Sequence, residues 1–411
     1  MTTQDSCFYR NDTNTGFRLL HSSQWQCDFH KKCLLYYCFL GYNKRDMSLS
    51  RFYKLFPVPS YLELSTVGID ISDTSIKFAE LKYSPKGYRL GRFGSVDLPV
   101  GTIVSGKIVD HKILIEALSQ IRHKYNFNYI YASLPEEEIF VVRMKVPYVK
   151  KNDLRGSIEL LLEEYIPLSA DQVVFDYEIY SEPKNTSDNY ILSVFISPKT
   201  LVSDYTSVLQ EAGFHVVGLE IEVQSIARAF VPPRDSGTYM IVDIGKTRTG
   251  FSIVSQGIVL FTSTIKSIGG ENLTKAVQKA LNLSYEEAEQ IKIKKGLLYS
   301  EGNKEVFDAL IPVVATFKDE ISRHYIYWKN LREDHEVKED IGKILFCGGQ
   351  STLPGLTEYT AVNLGSPVEI GNPWASFMNI SHEVPSLDFN NSLRYVTAIG
   401  LALRGINVDL L

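Results

Sequence analysis

The stretch V-G-I-D-I-S-D-T-S-I-K-F-A-E-L, from Val67 to Leu81, contains the pattern around which the rest of the chain is organised. An apolar run ends at Asp70, small polar residues follow over 72–75, and alternating apolar residues then resume. This pattern is typical of a strand, a tight turn and a second strand. Backbone N–H groups in such a turn can face an anion, and Asp70 would stand beside it. Because strand–Asp–turn segments are common, a phosphate site is indicated only if partner segments occur elsewhere.

A second copy of the pattern lies within 239–254. When V-D-I-G-K-T-R-T-G-F is aligned with I-D-I-S-D-T-S-I-K-F, Asp243 matches Asp70 and Thr247 matches Thr74. Two copies predict two similar domains facing each other. A third segment, Lys343–Gly355, predicts a strand followed by a glycine turn. A nucleotide held between two domains needs backbone amides around its phosphates, carboxylates that organise Mg²⁺, and glycines beside the adenosine, which these three segments supply in that order.

Composition narrows the class of protein. At 411 residues the chain exceeds one ordinary core, so we expect two or more subdomains. Apolar residues make up 44% and charged residues 22%, as in soluble globular proteins. A net charge of −5 argues against a general nucleic-acid binder. No apolar run reaches the ~20 residues of a membrane helix.

The cysteines are unevenly distributed. Four of the five lie near the N-terminus: Cys7, Cys27, Cys33 and Cys38. The body of the chain has only Cys347, which predicts a cytoplasmic protein without a disulfide framework. The spacing of Cys27, His30 and Cys33 fits no usual zinc knuckle. We interpret 1–60 as an N-terminal extension in which 1–46 are foreign to the fold, and Met47 stays open as an alternative start.

Periodicity predicts an inserted module over 134–217, with the order strand-helix-strand-strand-helix-strand. Its first helix, Asp153–Tyr165, has apolar residues on one face. An apolar helix over Asn391–Arg404 is predicted to end the fold. The predicted division is 61–133 as the first part of domain I, 134–217 as the inserted module and 218–236 as the continuation of domain I. Domain II follows, with 237–268 as its core, 269–340 as its helical subdomain and 341–386 as the continuation of its core, and 387–411 form a C-terminal helix returning to domain I.

The motifs resemble those of the actin-like ATPase superfamily, and within it the PilM family of type IV pilus assembly, which is related to the cell-division protein FtsA. The segments that carry the resemblance are Gly68–Lys77, Asp243–Gly250, Gly348–Gly355, Ser267–Thr274 and Ala288–Lys292, together with the stretch most similar to PilM, Glu163–Leu168 followed by 171–173. The resemblance implies an α/β fold, namely the actin-like (ribonuclease H-like) two-domain ATPase fold with an inserted FtsA/PilM-type subdomain. It also implies ATP and Mg²⁺ as ligands.

Site residues follow from the resemblance by position. Asp70 and Asp243 would bind Mg²⁺ through water, and Glu222 matches a position where relatives orient a water molecule. The implied nucleotide-binding residues are Ser72, Asp73, Thr74, Ser75, Lys77, Gly245, Lys246, Thr247, Gly269, Gly270, Lys292, Gly348, Gly349 and Gln350. Lys77 would reach a phosphate and Lys292 would lie along the adenine. The alternatives are a solvated strand lysine for Lys77, a helix cap for Glu222 and a surface charge for Lys292.

The first turn departs from the family pattern. It has Ser72-Asp73 where relatives more often have a glycine and a small residue. Asp73 adds negative charge near the phosphates unless it points away or faces Mg²⁺. Lys246 and Arg248 in the second turn would offset that charge. The sequence therefore predicts nucleotide binding and leaves ATP hydrolysis open.

The resemblance also implies a partner, the cytoplasmic peptide of a PilN-like inner-membrane protein. The predicted groove lies between the first domain and the inserted module, at Tyr165, Ile166, Pro167 and Leu168. The protein would be peripheral at the inner membrane through this partner, with self-association and other pilus assembly proteins left open and nucleic acid excluded.

Three alternatives stay open. An FtsA-like filament protein would end in an amphipathic membrane helix, for which 404–411 is too short and too acidic. A small-molecule kinase of the same superfamily would need a catalytic carboxylate, for which Asp110 is the obvious loop candidate. The third alternative is a general soluble α/β protein that binds no nucleotide.

Overall fold

The computed structural model describes residues 66–84, 87–334, 340–362, 364, 366–378 and 384–406. The predicted N-terminal extension, with its cysteines and Met47, lies outside the described residues. The strands are β1 Thr66–Ile71, β2 Ser75–Ser84, β3 Gly87–Asp97, β4 Ile103–Val104, β5 Lys107–Ile108, β6 Tyr129–Leu134, β7 Phe140–Pro147, β8 Val173–Ser181, β9 Asn189–Pro198, β10 His215–Ile221, β11 Thr238–Ile244, β12 Thr249–Ser255, β13 Ile258–Ile265, β14 Lys343–Cys347 and β15 Val368–Ile370. The α-helices are α1 His111–Tyr125, α2 Leu154–Tyr165, α3 Lys199–Glu211, α4 Glu222–Phe230, α5 Gly270–Leu281, α6 Tyr285–Lys295, α7 Lys304–Asp334, α8 Leu356–Ala361, α9 Phe389–Ser392 and α10 Val396–Arg404.

The described residues belong to two compact units. Unit 1 contains Gly91–Glu222 with the residues up to Gly87 and from Leu401 onward. Unit 2 contains Val223–Gly400 and Tyr88–Leu90. The finer division into domain segments stays a prediction.

The main sheet of unit 1 has five strands in the order β10-β6-β1-β2-β3. Strand β1 is antiparallel to β2 and parallel to β6, and β10 is parallel to β6. Because β1 is central, it is buried on both faces: Val67 and Ile69 lie on one face, and Gly68 and Asp70 lie on the other. Asp110 caps the N-terminus of helix α1, and the helix buries Leu114, which agrees with its amphipathic pattern.

The main sheet of unit 2 repeats this topology. Its five strands have the order β13-β12-β11-β14-β15, with β11 antiparallel to β12 and parallel to β14. Phe251 on β12 stacks on His324 of the long helix α7, with ring centroids 4.5 Å apart. Phe317 of the same helix packs edge-on against Phe346 of β14. The sequence repeat is therefore a repeat of sheet topology.

A separate three-stranded sheet, in the order β7-β9-β8, packs against α2 within unit 1. We call Phe140–Pro198 the inserted module. Its core includes Ile158 and Leu162 of α2 packed against Val194 of β9. Strand β10, which the sequence order grouped with these strands, pairs with β6 in the main sheet of unit 1.

The C-terminal helical segment differs from its prediction. In place of one helix over Asn391–Arg404 there are two, α9 and α10. Asp388 caps α9 by accepting from the Asn391 N–H at 3.0 Å, and the chain then turns through Leu393 before α10 begins. Among the described helices, none is both long and apolar enough to cross a membrane.

Candidate functional site

The first hairpin ends in a four-residue turn, 72–75, which we call turn 1. The Ser72 N–H donates to the Ser75 carbonyl at 3.0 Å, and the Ser72 hydroxyl donates to the same carbonyl at 2.9 Å. Asp70 pairs with Lys77 across the hairpin. Turn 1 therefore lies at the end of β1, directly after the predicted carboxylate.

The second hairpin ends in a turn of the same length, 245–248, which we call turn 2. The Gly245 N–H donates to the Arg248 carbonyl at 2.9 Å, and Asp243 pairs with Gly250 at the position equivalent to that of Asp70 and Lys77. The hairpins thus agree in register, turn length and closing hydrogen bond.

Both turns present backbone N–H groups at their tips. Within the described part of the chain, the N–H groups of Asp73 and Thr74, and those of Lys246 and Thr247, have no protein acceptor. Successive N–H groups in a turn form a concave site for an anion. Each turn can therefore bind a phosphate oxygen through its backbone.

Asp70 is held in place by two side chains. Its Oδ2 accepts from Lys77 Nζ at 3.3 Å, and its Oδ1 accepts from Ser133 Oγ at 3.2 Å. Ser133 Oγ also accepts from the Ile71 N–H at 3.0 Å. Ser133 is absent from the predicted site, because only the parallel pairing of β6 with β1 brings it to Asp70.

Asp243 lies against the glycine turn that follows β14. A Cβ on Gly348 would come 2.3 Å from Asp243 Oδ1, and Gly348 has a φ of +84°. The Gln350 N–H donates to the Ile244 carbonyl at 3.1 Å. Only glycine fits at position 348. The close approach of Gly348 to Asp243 shows that the second and third predicted motifs meet at the Asp243 carboxylate.

Helix α5 begins against turn 2. The Gly270 N–H donates to the Gly245 carbonyl at 3.0 Å, and the Glu271 N–H donates to the Lys246 carbonyl at 2.9 Å. A Cβ on Gly269 would come 2.8 Å from the backbone nitrogen of Arg248. Unit 2 therefore brings together turn 2, Gly269-Gly270 and Gly348-Gly349-Gln350, as the motifs predicted.

Lys292 is fully buried, so the alternative of a surface charge is wrong. Its Nζ donates to Glu289 at 2.7 Å, to Gln350 Oε1 at 2.8 Å, to Thr274 Oγ1 at 2.9 Å and to the Gly270 carbonyl at 3.2 Å. Burial lowers the pKa of Lys292, and the hydrogen bond that Lys292 donates to Glu289 opposes this shift. The lysine therefore ties α6 to the start of α5 and to the glycine turn.

The Glu289 and Thr274 side chains were absent from the predicted site. Thr274 lies in α5 and Glu289 lies in α6, three residues before Lys292, and both belong to segments that carry the family resemblance. A buried lysine needs acceptors, and these two residues supply them.

Three further predicted residues have definite positions. Lys77 is largely buried and forms an ion pair with Asp70. Glu222 is buried, begins α4 and is the last residue of its segment of unit 1. The Asp73 carboxylate accepts from the backbone N–H groups of Ser105 and Gly106, at 3.0 and 3.1 Å. Asp73 therefore directs its charge into the β4–β5 turn.

The four predicted groove residues differ in exposure. Tyr165 at the end of α2 is 41% exposed, and Pro167 is also exposed. Leu168 packs partly against the core of the inserted module, and Ile166 is buried within it. Tyr165 and Pro167 are accordingly the members that a partner can contact without repacking.

Asp110 serves as the N-cap of α1, where its side chain accepts from the Ile113 N–H at 3.0 Å. A cap of this kind stabilises a helix by about 1 kcal/mol. The carboxylate proposed for a kinase thus has a structural role.

The carboxylates of Asp70 and Asp243 suit Mg²⁺, which prefers oxygen ligands and retains several waters. Among the described residues, no group of three or more His, Cys, Asp or Glu side chains could hold a metal by itself. Asp70 and Asp243 each offer a single carboxylate, so a cation at either hairpin would take most of its ligands from other oxygens and water.

Comparison with known proteins shows the family and the fold. The family model of type IV pilus assembly protein PilM matches residues 68–406. The solved PilM-PilN type IV pilus biogenesis complex superposes with a TM-score of 0.69 at 20% identity, covering 84% of this chain and 99% of that one. This match confirms the predicted actin-like α/β fold.

Cell division protein FtsA is a more distant relative. The Enterococcus hirae protein is 24% identical over 349 residues, which are 75% of this chain and 78% of that protein. The Enterococcus faecalis protein is 26% identical over 186 residues, 40% of this chain and only 41% of its own length. The family match thus favours the pilus assembly family over FtsA, and the chain belongs to the PilM family of type IV pilus assembly proteins.

Proposed function

We propose that this protein is a nucleotide-binding scaffold of the inner-membrane platform that assembles type IV pili. It binds ATP with Mg²⁺ through the two turns, and it captures the cytoplasmic peptide of a PilN-like membrane protein. The protein is then peripheral at the inner membrane through that partner.

The observation that carries the nucleotide proposal is the matched pair of hairpins. Each has a strand that ends in an aspartate, a four-residue turn closed by the same hydrogen bond, and unused N–H groups at its tip. A phosphate chain needs donors on more than one side, and two such turns supply them. Lys246 is exposed in turn 2 and Arg248 lies in the same turn, so both add positive charge there. Lys77 adds positive charge beside turn 1.

The roles of single residues follow from their surroundings. Asp70 and Asp243 would hold Mg²⁺ through water, and Glu222 would orient a further water. Lys292 would act on the purine side of the site by fixing Gln350 and Gly270. A bound Mg²⁺ ion would neutralise phosphate charge and fix the position of the phosphate chain.

Support for the partner proposal comes from the inserted module. The solved PilM structure is a complex with PilN, and this chain has the same fold. An extended peptide gains main-chain hydrogen bonds and side-chain pockets when it lies along a groove. Tyr165 and Pro167 would contact that peptide. ATP would then act as an effector if it binds the partner-competent state more tightly.

Thermal unfolding tests the nucleotide proposal. Mg·ATP at about 100-fold excess over its Kd adds about 2.7 kcal/mol to the free energy of unfolding, so Tm rises by several degrees. Asp243→Ala should remove the shift, whereas Asp319→Ala, at an exposed position of α7, should keep it. A wild-type protein with no shift at millimolar Mg·ATP would contradict the proposal, and a full shift in Asp243→Ala would contradict the assigned role.

Peptide titration tests the partner proposal. The probe is the N-terminal cytoplasmic peptide of the PilN-like protein, measured by calorimetry with Mg·ATP present. Tyr165→Ala should weaken binding about tenfold or more, as expected for an exposed aromatic anchor. Tyr299→Ala, which removes a 65% exposed tyrosine of unit 2, is the matched control. Equal affinities of the two variants would remove Tyr165 from the proposed groove.

A further inference from the structure

Asp73 is the acidic residue by which turn 1 departs from the family pattern, and its side chain forms specific hydrogen bonds. The Asp73 carboxylate accepts from both N–H groups at the tip of the β4–β5 hairpin, those of Ser105 and Gly106. Each oxygen serves one donor, Oδ2 for Ser105 and Oδ1 for Gly106. A neutral side chain of the same shape cannot do this, because an asparagine has one acceptor oxygen and one donor nitrogen.

The same hairpin tip contacts the two points where the chain enters and leaves the inserted module. On the entry side, a Cβ on Gly106 would come 2.5 Å from Pro135 Cβ, and Lys107 pairs with Glu138 at 3.5 Å. On the exit side, the buried Tyr205 hydroxyl donates to the Gly106 carbonyl at 3.0 Å. Pro135 follows β6 directly, and Tyr205 lies in α3, the helix that follows β9.

The hairpin has little freedom to absorb a displacement of turn 1. Ser105 and Gly106 both have positive φ, at 52° and 79°, which fixes a tight turn. The Thr102 carbonyl accepts from the N–H groups of Val109 and Asp110, at 2.9 and 3.1 Å, and this holds the base of the hairpin. Close packing transmits small shifts rather than damping them.

We propose that Asp73 is a positioning residue that couples turn 1 to the inserted module through the tip of the β4–β5 hairpin. The inference rests on the proposed function, in which turn 1 binds a nucleotide phosphate and the module binds a peptide. When the phosphate fixes turn 1, Asp73 fixes Ser105 and Gly106, and these in turn bias Pro135 and Tyr205. The negative charge of Asp73 is then stabilised by the two N–H donors that form this linkage.

Hydrogen–deuterium exchange of the full chain, with and without Mg·ATP, tests the coupling. In wild type, Mg·ATP should slow exchange in 72–76, in 103–108 and in 140–198. In Asp73→Asn the slowing in 140–198 should be lost, and the response in 72–76 reports whether turn 1 of the variant still binds the nucleotide. Glu116→Gln removes an equally negative side chain from exposed α1 of the same unit and should behave as wild type.

A second variant tests the far end of the linkage. Tyr205→Phe keeps Asp73 and removes only the hydroxyl that binds the Gly106 carbonyl. The nucleotide-dependent slowing in 140–198 should be reduced, while that in 72–76 and 103–108 persists. A role in folding alone would change exchange without nucleotide and leave the response to Mg·ATP intact.

The outcomes separate the two proposals. If both variants keep the full module response, the coupling is refuted and nucleotide binding stands. If wild type shows no slowing at either turn, the proposed function fails and the coupling fails with it. If Asp73→Asn loses the slowing at 72–76 and Tyr205→Phe keeps it, the response of 140–198 in Tyr205→Phe decides. Loss of the slowing of 140–198 in Tyr205→Phe supports the coupling, and its retention overturns the coupling.

Discussion

Turn 1 and turn 2 have the same length and the same closing hydrogen bond, but different interactions hold them. Turn 1 is held by side chains, since the Ser72 hydroxyl binds the Ser75 carbonyl and Asp73 binds the β4–β5 hairpin. Turn 2 is held by backbone packed at close range, where Gly269 and Gly348 leave no room for a Cβ. The same geometry is thus reached with side-chain hydrogen bonds in one unit, and with backbone hydrogen bonds and glycine packing in the other.

Because they are held differently, the two turns should tolerate different amino-acid substitutions. A turn held by side-chain hydrogen bonds loses stability when an acceptor or hydroxyl is removed. A turn held by glycine packing loses stability when an atom is added. The two copies should therefore respond in opposite ways to small substitutions.

The largest effect is expected for Gly348→Ala. Its Cβ would lie 2.3 Å from Asp243 Oδ1 and 2.5 Å from the Ile244 carbonyl oxygen, in a backbone conformation with positive φ. Backbone strain and overpacking together should lower the free energy of unfolding by roughly 4 kcal/mol. Urea unfolding measures this loss.

The neighbouring glycine supplies the control. A Cβ on Gly349 would meet only the Arg394 side chain, at 3.4 Å, and Gly349 has no positive φ. Gly349→Ala should therefore change the free energy of unfolding by less than about 0.5 kcal/mol. Equal losses for the two variants would mean that close packing at Asp243 does not hold this turn.

The next effect concerns the buried lysine of unit 2. Lys292→Met would leave Gln350 Oε1 without its donor, whereas the Gly270 carbonyl keeps the Thr274 hydroxyl and Glu289 is partly exposed and can bind water. We expect a loss of about 2 kcal/mol in urea unfolding at neutral pH. Lys294→Met, on the exposed side of the same helix, should change the stability by less than about 0.5 kcal/mol.

The pH dependence of this loss has a definite sign. Burial lowers the pKa of Lys292 in the folded protein, so the unfolded state binds the proton more tightly. Wild-type stability relative to Lys292→Met should therefore rise as the pH rises through the folded pKa toward the unfolded value of about 10.4. A difference that falls over this alkaline range would contradict a desolvated lysine.

Much of this site could be predicted from the sequence, because its motifs are local. The alignment of Asp70 with Asp243 predicted two similar domains, and the resemblance carried by the motifs implied the actin-like fold. In the structure Gly269 packs against turn 2 and Gly348 packs against Asp243 and Ile244. Local patterns fix strands, turns and close glycine contacts, since each depends on a few adjacent residues.

The parts that were missed depend on contacts between distant residues. Ser133 reaches Asp70 only because β6 pairs with β1. Asp73 was predicted to affect phosphate binding, whereas its hydrogen bonds to Ser105 and Gly106 depend on how the β4–β5 hairpin packs. The break between α9 and α10 was missed because the residues across it are apolar enough to continue a helical pattern.

The smallest effect is expected in turn 1. Ser72→Ala removes the hydroxyl that donates to the Ser75 carbonyl and adds no atom, so the loss should be about 1 kcal/mol in urea unfolding. Ser95→Ala, on the exposed side of β3, is the matched control and should be nearly neutral. If Ser72→Ala is also neutral, the Ser72 hydroxyl adds nothing to the backbone bond between Ser72 and Ser75. The contrast with turn 2 would then reduce to Asp73 alone, because that carboxylate would be the remaining side chain that holds turn 1 in place.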